Sequence, residues 1–189
     1  MEINEKKLIE RASGGDTSAF NELMTCHEQK MYAVALRMCA NREDAQDCLQ
    51  EAMLRVYRAI GSFKGQSNFS TWLYRITMNT CLDELRRKKK KQNTSLDGLL
   101  DQGWAPSDEG IGPEKQALMC ELRTKMSGAI QELPEDMRNA IVLRDIQGLS
   151  YDEVAQVTEV SVGTVKSRIS RGREKLREKL KEYVELYDR

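Results

Sequence analysis

Apolar residues in this chain recur three and four positions apart almost everywhere outside residues 92–113, and nowhere do they alternate with polar ones long enough to argue a strand. That periodicity predicts an all-α protein. Only 3 prolines and 12 glycines punctuate 189 residues, and 32% charged with 40% hydrophobic residues excludes collagenous, mucin-like and low-complexity classes. No apolar run approaches the roughly 18 residues a membrane span needs. The start, Met1-Glu-Ile-Asn-Glu-Lys-Lys, lacks the basic-then-apolar profile of a secretion signal. A cytosolic setting with reduced cysteines is the expectation.

The periodicity divides the chain into two small helical domains. The first, residues 1–91, predicts a helix at Ile3–Ser13 stopped by Gly14-Gly15, and a second capped by Asp16 that turns Phe20, Leu23, Met24, Met31, Val34, Ala35 and Met38 toward a core. Asn41 caps a third, whose inward stripe is Cys48, Leu49, Ala52, Met53, Val56 and Ile60 up to Gly61. A fourth begins near Ser70, with apolar positions on more than one face, and runs into six consecutive cations, Arg86 to Lys91. Residues 92–113, rich in Asn, Ser, Gly, Pro and acids, read as a flexible acidic linker. The second domain, residues 114–189, predicts helices near Glu114–Glu132, Glu135–Gln147, Tyr151–Val157 and Val162–Tyr183.

Lys plus Arg and Asp plus Glu each total 30, so the formal charge is zero, yet the signs are segregated. Residues 61–91 hold eight basic against two acidic groups, residues 92–136 three against nine, and residues 161–181 eight against two. Two cationic bodies separated by an acidic stretch suggest a polyanion gripped at two points.

In the second cationic block, Ser150-Tyr-Asp-Glu153 fits a capping box opening a short helix with Val154, Ala155 and Val157 inward. A turn at Thr158-Glu-Val160 follows, and Ser161 caps a longer helix whose stripe is Val162, Val165, Ile169, Leu176 and Leu180. Short helix, tight turn and longer basic helix form a helix-turn-helix signature. Gly163, Thr164, Ser167, Ser170 and Arg171 project opposite the stripe, flanked by Lys166, Arg168 and Arg173. Small and polar residues there let the backbone approach a major groove, and Arg171 is the best candidate for a bidentate guanine contact.

In the first domain, the face of the third helix opposite its core carries Asp47, Gln50, Glu51, Leu54 and Arg58, with Leu54 an apolar residue pointing away from its own core. On the fourth helix, Arg75, Asn79, Asp83 and Arg86 share one face, with Arg87 beside them. The loop before it, Gly61 to Phe69, joins Lys64, Gln66 and Asn68 to Phe63 and Phe69. Flat apolar surfaces beside hydrogen-bonding groups can hold an unstacked base. Trp72 is read as core.

Two stretches carry a family resemblance. Asp47-Cys-Leu-Gln-Glu-Ala-Met-Leu-Arg-Val-Tyr57 with Phe69-Ser-Thr-Trp-Leu-Tyr-Arg-Ile-Thr-Met-Asn79 closely resembles region 2 of bacterial sigma factors. Leu133-Pro-Glu-Asp-Met-Arg-Asn-Ala-Ile-Val-Leu-Arg144, with Gly148-Leu-Ser-Tyr-Asp-Glu-Val-Ala155 and Val162-Gly-Thr-Val-Lys-Ser-Arg-Ile-Ser-Arg171, resembles region 4. With only these two regions the chain is similar to the extracytoplasmic-function group. The resemblance implies a protein that binds core RNA polymerase through Asp47, Gln50, Glu51, Leu54 and Arg58, docking on the coiled coil of its largest subunit. It implies minus-10 recognition and melting by the Phe63–Phe69 loop and the fourth helix, and minus-35 recognition in duplex promoter DNA by Thr164, Lys166, Ser167, Arg168, Ser170 and Arg171. It also implies an anti-sigma factor partner, usually membrane-linked.

No catalytic motif is found: there is no Gly-x-x-x-x-Gly-Lys loop, no Gly-x-Ser-x-Gly elbow and no carboxylate pair with a histidine or metal spacing. The five cysteines, Cys26, Cys39, Cys48, Cys81 and Cys120, form no Cys-x-x-Cys pair, and with one histidine, His27, they read as packing residues, so neither metal nor cofactor is expected. Two rival readings stay open on residues alone. One is a helix-turn-helix regulator binding operator DNA as a dimer without polymerase. The other is a helical adaptor with no salt-dependent DNA affinity.

Overall fold

The computed structural model describes the backbone of residues 2–39, 41–92 and 113–187. All of it is helix or short connection, and it divides into two compact units, one holding the first four α-helices and the other the last four. The expected linker at residues 92–113 falls outside the described residues except at its two ends, as do the side chains of the last cations of the Arg86–Lys91 run.

In the first unit, α1 (Glu2–Ser13), α2 (Thr17–Cys39), α3 (Arg42–Ala59) and α4 (Phe69–Gln92) surround a core in which Leu23, Met31, Val56 and Leu73 are fully enclosed. Local chemistry sets each boundary. Gly15 takes a φ of +92° where α1 stops, a conformation glycine adopts without steric cost. Asp16 then opens α2: its Oδ1 accepts the Ala19 amide at 3.0 Å, and its Oδ2 accepts two bonds from Arg11, at 2.9 and 2.7 Å. The amide bond, then the guanidinium, hold the Asp16 carboxyl below its usual range. A lowered carboxyl stabilises the fold only where it is ionised. Asp16→Ala should therefore lower the melting temperature at neutral pH, and the gap to wild type should close as pH falls below 3.8 and through the still lower folded value. Parallel melts of the two proteins across that window check this.

Helix α3 ends in a tight turn over Ile60–Ser62, where the Ser13 hydroxyl donates to the Ile60 carbonyl at 3.2 Å and ties α1 to the chain ahead of the loop. Helix α4 then enters the core on several faces, with Thr71, Trp72, Leu73 and Tyr74 buried in succession. His27 is buried, hydrogen-bonded to Glu5 Oε1 at 2.8 Å and packed edge-on to Phe69. The lone histidine is thus a core residue.

Three cysteines that the sequence left as separate packing residues meet in this unit. Cys39, Cys48 and Cys81 come from α2, α3 and α4 and are all buried. Hydrogen bonds from Cys39 and then Cys81 lower the Cys48 thiol; the bond to Cys48 raises Cys39, and bonds with Cys39 and then Cys48 raise Cys81.

The second unit is α5 (Pro113–Gln131), α6 (Glu135–Ile141), α7 (Tyr151–Thr158) and α8 (Val162–Tyr187). The helix expected over Glu135–Gln147 is divided: beyond Ile141 it widens into a π-turn over Val142–Ile146, with the Gln147 amide donating to the Val142 carbonyl at 3.0 Å. The wider turn accompanies an unbroken buried run, Asn139 to Leu143. Gly148, at a φ of +74°, reverses the chain, and Arg144 donates to the Leu149 carbonyl at 2.5 Å to fix the exit.

Helix α8 crosses α6 at a buried glycine that the hydrophobic stripe did not include. A β-carbon on Gly172 would sit 2.9 Å from Ile141 Cγ1 and 3.6 Å from Met137 Cβ. Ile141 is itself enclosed and has nowhere to swing. Gly172→Ala should gain about 1 kcal/mol of helix propensity and lose roughly 1–3 kcal/mol to overpacking. The expected net loss of about 1 kcal/mol is read as a lower thermal midpoint; Gly163→Ala, on the same helix with only a serine hydroxyl near it, should show none.

Candidate nucleic-acid interface

The helix-turn-helix is built from caps on both of its helices. Ser150 accepts the Glu153 amide at 3.2 Å while Glu153 accepts the Ser150 amide at 2.9 Å, the reciprocal pair of a capping box. Helix α7 runs one residue further than expected, through Thr158, because Glu159 takes the left-handed conformation at φ 55° and the Val160 amide closes back on Ala155. Ser161 accepts the Thr164 amide at 3.2 Å and starts α8. Val165, Ile169 and Leu180 are buried on the side of α8 that packs against α5, α6 and α7, so register is fixed and the opposite face is presented to solvent.

On that face Gly163, Lys166, Ser167, Ser170 and Arg171 are exposed, with Thr164 and Arg168 half-buried. The cations differ in how firmly they are held. Arg168 is paired with Asp136 at 3.1 Å, and Arg173 with Asp145 at 3.0 Å through its Nε. Lys166 lies over the Tyr151 ring, 5.6 Å from its centre, and Arg144 lies 4.7 Å from the same centre. Arg171 has no hydrogen bond or ion pair among the described residues and is exposed. Beside it, Tyr151, Lys166, Ser170, Arg173 and Arg177 line an open polar cleft of about 410 Å³. Tyr151, Arg173 and Arg177 were not in the sequence-derived minus-35 set. The cation spacing of α8 is legible in sequence, but the role of Tyr151 as their platform needs the α7–α8 crossing.

In the first unit, the loop ahead of α4 presents Lys64, Gln66 and Asn68 as exposed groups, with Gly65 at φ +68° turning the chain between them. Phe63 is half-buried and packs on Phe69 at 5.3 Å and on Trp72 at 5.2 Å between ring centres. Phe69 is only 5% exposed. Its ring belongs to the core beneath the loop, because α4 begins at Phe69 itself and points it inward, so it supports the loop and offers no free face of its own. Trp72 is core, as its aromatic neighbours require. Along α4, Asn79, Asp83, Arg86 and Arg87 are exposed and Arg75 is half-buried. Asp83 accepts from Arg55 of α3 at 2.8 Å, and Arg55 also reaches Glu51 at 3.0 Å, so these acids on two helices share one guanidinium. Arg87 pairs with Glu84 at 3.0 Å.

The outer face of α3 brings Asp47, Gln50, Glu51, Leu54 and Arg58 together in solvent. Leu54 is 51% exposed, and one turn on, Tyr57 is 46% exposed with its ring edge against Phe20 at 5.0 Å between centres. Spacing places Tyr57 neither in the inward stripe nor on the outward face; the packing shows that half of it is outside.

A compact helical body with an apolar spot on one helix, joined in one chain to a capped helix-turn-helix, defines a protein of the two-region sigma class. Family models agree: Sigma-70 region 2 matches residues 23–91, and Sigma-70, region 4 matches residues 123–176. The chain is 37% identical over 187 residues to the ECF RNA polymerase sigma factor SigW of Bacillus subtilis, covering 96% of this chain and 100% of that one. It is likewise 37% identical to the ECF RNA polymerase sigma-E factor of Escherichia coli strain K12, covering 97% of each. Among solved structures, the sigma factor RpoE in complex with the anti-sigma factor NepR from Bartonella quintana aligns with a TM-score of 0.72 at 25% identity, covering 86% of this chain and 96% of that one. The chain belongs to the extracytoplasmic-function sigma factors of bacterial RNA polymerase.

Proposed function

We propose that the chain associates with core RNA polymerase and directs promoter-specific initiation from the bacterial cytoplasm, by binding alone and without covalent chemistry of its own. Residues 1–91 act as the polymerase-docking and minus-10 domain, residues 114–189 as the minus-35 domain, and residues 92–113 as the tether between them. The outer α3 face, with Leu54 at its centre, docks on the polymerase. Lys64, Gln66 and Asn68, backed by Phe63 on its Phe69–Trp72 floor, receive an extruded minus-10 base, whose binding offsets an unpairing cost of a few kcal/mol. Arg75, Asn79, Arg86 and Arg87 track the strand, while Asp83 positions Arg55 between the helices. On α8, Thr164, Ser167, Ser170 and Arg171 face base edges, and Lys166 and Arg168 with Arg173 face phosphates.

One observation supports this reading most: a single chain aligns from end to end with sigma factors while carrying both a region 2 body and a region 4 helix-turn-helix. A dimeric operator-binding regulator would need the first body as a ligand or dimer domain, and that body is instead similar to region 2. The partner inhibitor is proposed on the same footing, since the solved relative from Bartonella quintana is held by an anti-sigma factor. Run-off transcription with purified core polymerase tests the reading. Specific transcripts should appear only when both proteins are present; tight, specific duplex binding by the chain alone, with no transcript, would overturn it.

A further inference from the structure

The three buried thiols of the first unit make a donor set that promoter recognition does not use. Cys39 ends α2, Cys48 lies in α3 and Cys81 in α4, so three helices each contribute one sulfur to one point. Their Sγ atoms all lie within 4.8 Å of one another, and Cys39 and Cys48 are 3.4 Å apart. Cys26, the other cysteine with a described side chain, is exposed and outside the group.

Metal geometry gives the separations a meaning. Three sulfurs bound to one ion at about 2.3 Å stand roughly 4 Å from each other. The Cys39–Cys48 separation of 3.4 Å falls just short of that value and no pair exceeds 4.8 Å, so the set closes on an ion by shifts of under about one ångström, well within side-chain rotation. An all-sulfur, buried set selects soft ions and discriminates against magnesium, calcium and manganese, which take oxygen. The Lys88–Asp44 ion pair is near enough to act on the cluster with both signs: Asp44 disfavours thiolate at Cys39 and Cys48, and Lys88 favours it at Cys48. That pair is neutral as a whole, so the charge that holds three thiolates in the core has to come from the bound cation itself.

We propose that Cys39, Cys48 and Cys81 bind a soft d10 cation, copper(I) or zinc(II), as a three-thiolate site that staples α2, α3 and α4. Copper(I) is satisfied by three sulfurs in a plane, whereas zinc(II) takes a fourth ligand. In either case the ion displaces the thiol protons and changes no oxidation state. The site joins the helix carrying the outer α3 face to the helix carrying the strand-tracking face, so occupancy should be read in the stability of that unit.

The test uses the full chain, purified reduced, and exposed separately to zinc(II) and to copper(I) supplied from a competing chelator. One ion should be retained per chain, with a rise in the thermal midpoint. Cys39→Ala, Cys48→Ala and Cys81→Ala should each weaken retention by about tenfold or more, while Cys26→Ala should leave it intact. Because an alanine in the core can itself loosen the fold, X-ray absorption on the unsubstituted protein gives a second reading, with three sulfur neighbours expected at about 2.3 Å. The two metals run in parallel decide which ion is preferred. Failure to retain either ion, equal retention by the triple alanine variant, or a spectrum with fewer than three sulfur neighbours would overturn the site. Transcription is not the readout, so a negative result here leaves the promoter-directing function standing.

Discussion

Leu54→Glu should cost the chain its grip on core polymerase while leaving its own fold intact. Leu54 is half exposed on α3 beside an exposed Tyr57, and the rim around them is Asp47, Gln50, Glu51 and Arg58. An apolar centre inside a charged rim is the anatomy of a protein interface, and removing such a centre costs on the order of 2 kcal/mol or more, a fall of roughly thirtyfold in affinity. A glutamate adds desolvation of a charge and a third acid beside Asp47 and Glu51, which should push the loss further. The contrast is Leu49, five residues earlier on the same helix and buried at 3%. Leu49→Ala should unfold the first unit by about 2–5 kcal/mol, so a melt separates the two variants. Co-sedimentation or a polarisation assay with core enzyme is the measurement. Unchanged affinity for Leu54→Glu would remove this face from the docking surface.

How far the chain could be read in advance depended on whether a residue's role was set along one helix or between helices. The caps at Asp16, Ser150 and Ser161, and the stripes of α2, α3 and α8, were legible because each is a pattern of spacings within a single element. The π-turn after Ile141 was not, because nothing in the apolar spacing of that stretch marks a change from four to five residues per hydrogen-bonded turn, and the run beside it from Asn139 to Leu143 is buried between helices. The same limit explains Gly172, which falls in register with the α8 stripe but carries no side chain to mark it until α6 is laid across it, and Phe69, which shares a loop with exposed amides but turns inward with the first residue of α4. It explains the thiols most directly. Cys39, Cys48 and Cys81 are separated along the chain by distances no metal motif uses, and only the meeting of three helix faces makes them neighbours.

The same distinction between a side chain's own spacing and what holds it sets the expected result at the recognition helix. Arg168, Arg171 and Arg173 lie close together on α8, yet Arg168 is engaged by Asp136 and Arg173 by Asp145, while Arg171 keeps its five donors for a ligand. A guanidinium with both prongs unspent suits bidentate contact with a guanine edge, and one already clamped to a carboxylate suits a phosphate, where position matters more than discrimination. Arg171→Ala should therefore cost roughly 1–3 kcal/mol at one base pair of the promoter and little elsewhere, flattening preference at that position. Arg173→Ala should weaken binding evenly over all sequences and reduce the salt slope by about one. Holoenzyme binding to a panel of single-base promoter variants, at two salt concentrations, separates the outcomes. An even loss for Arg171→Ala would make it a backbone contact and shift base reading to Thr164, Ser167 and Ser170, whose shorter side chains would then have to approach the groove more closely through the turn that Ser161 begins.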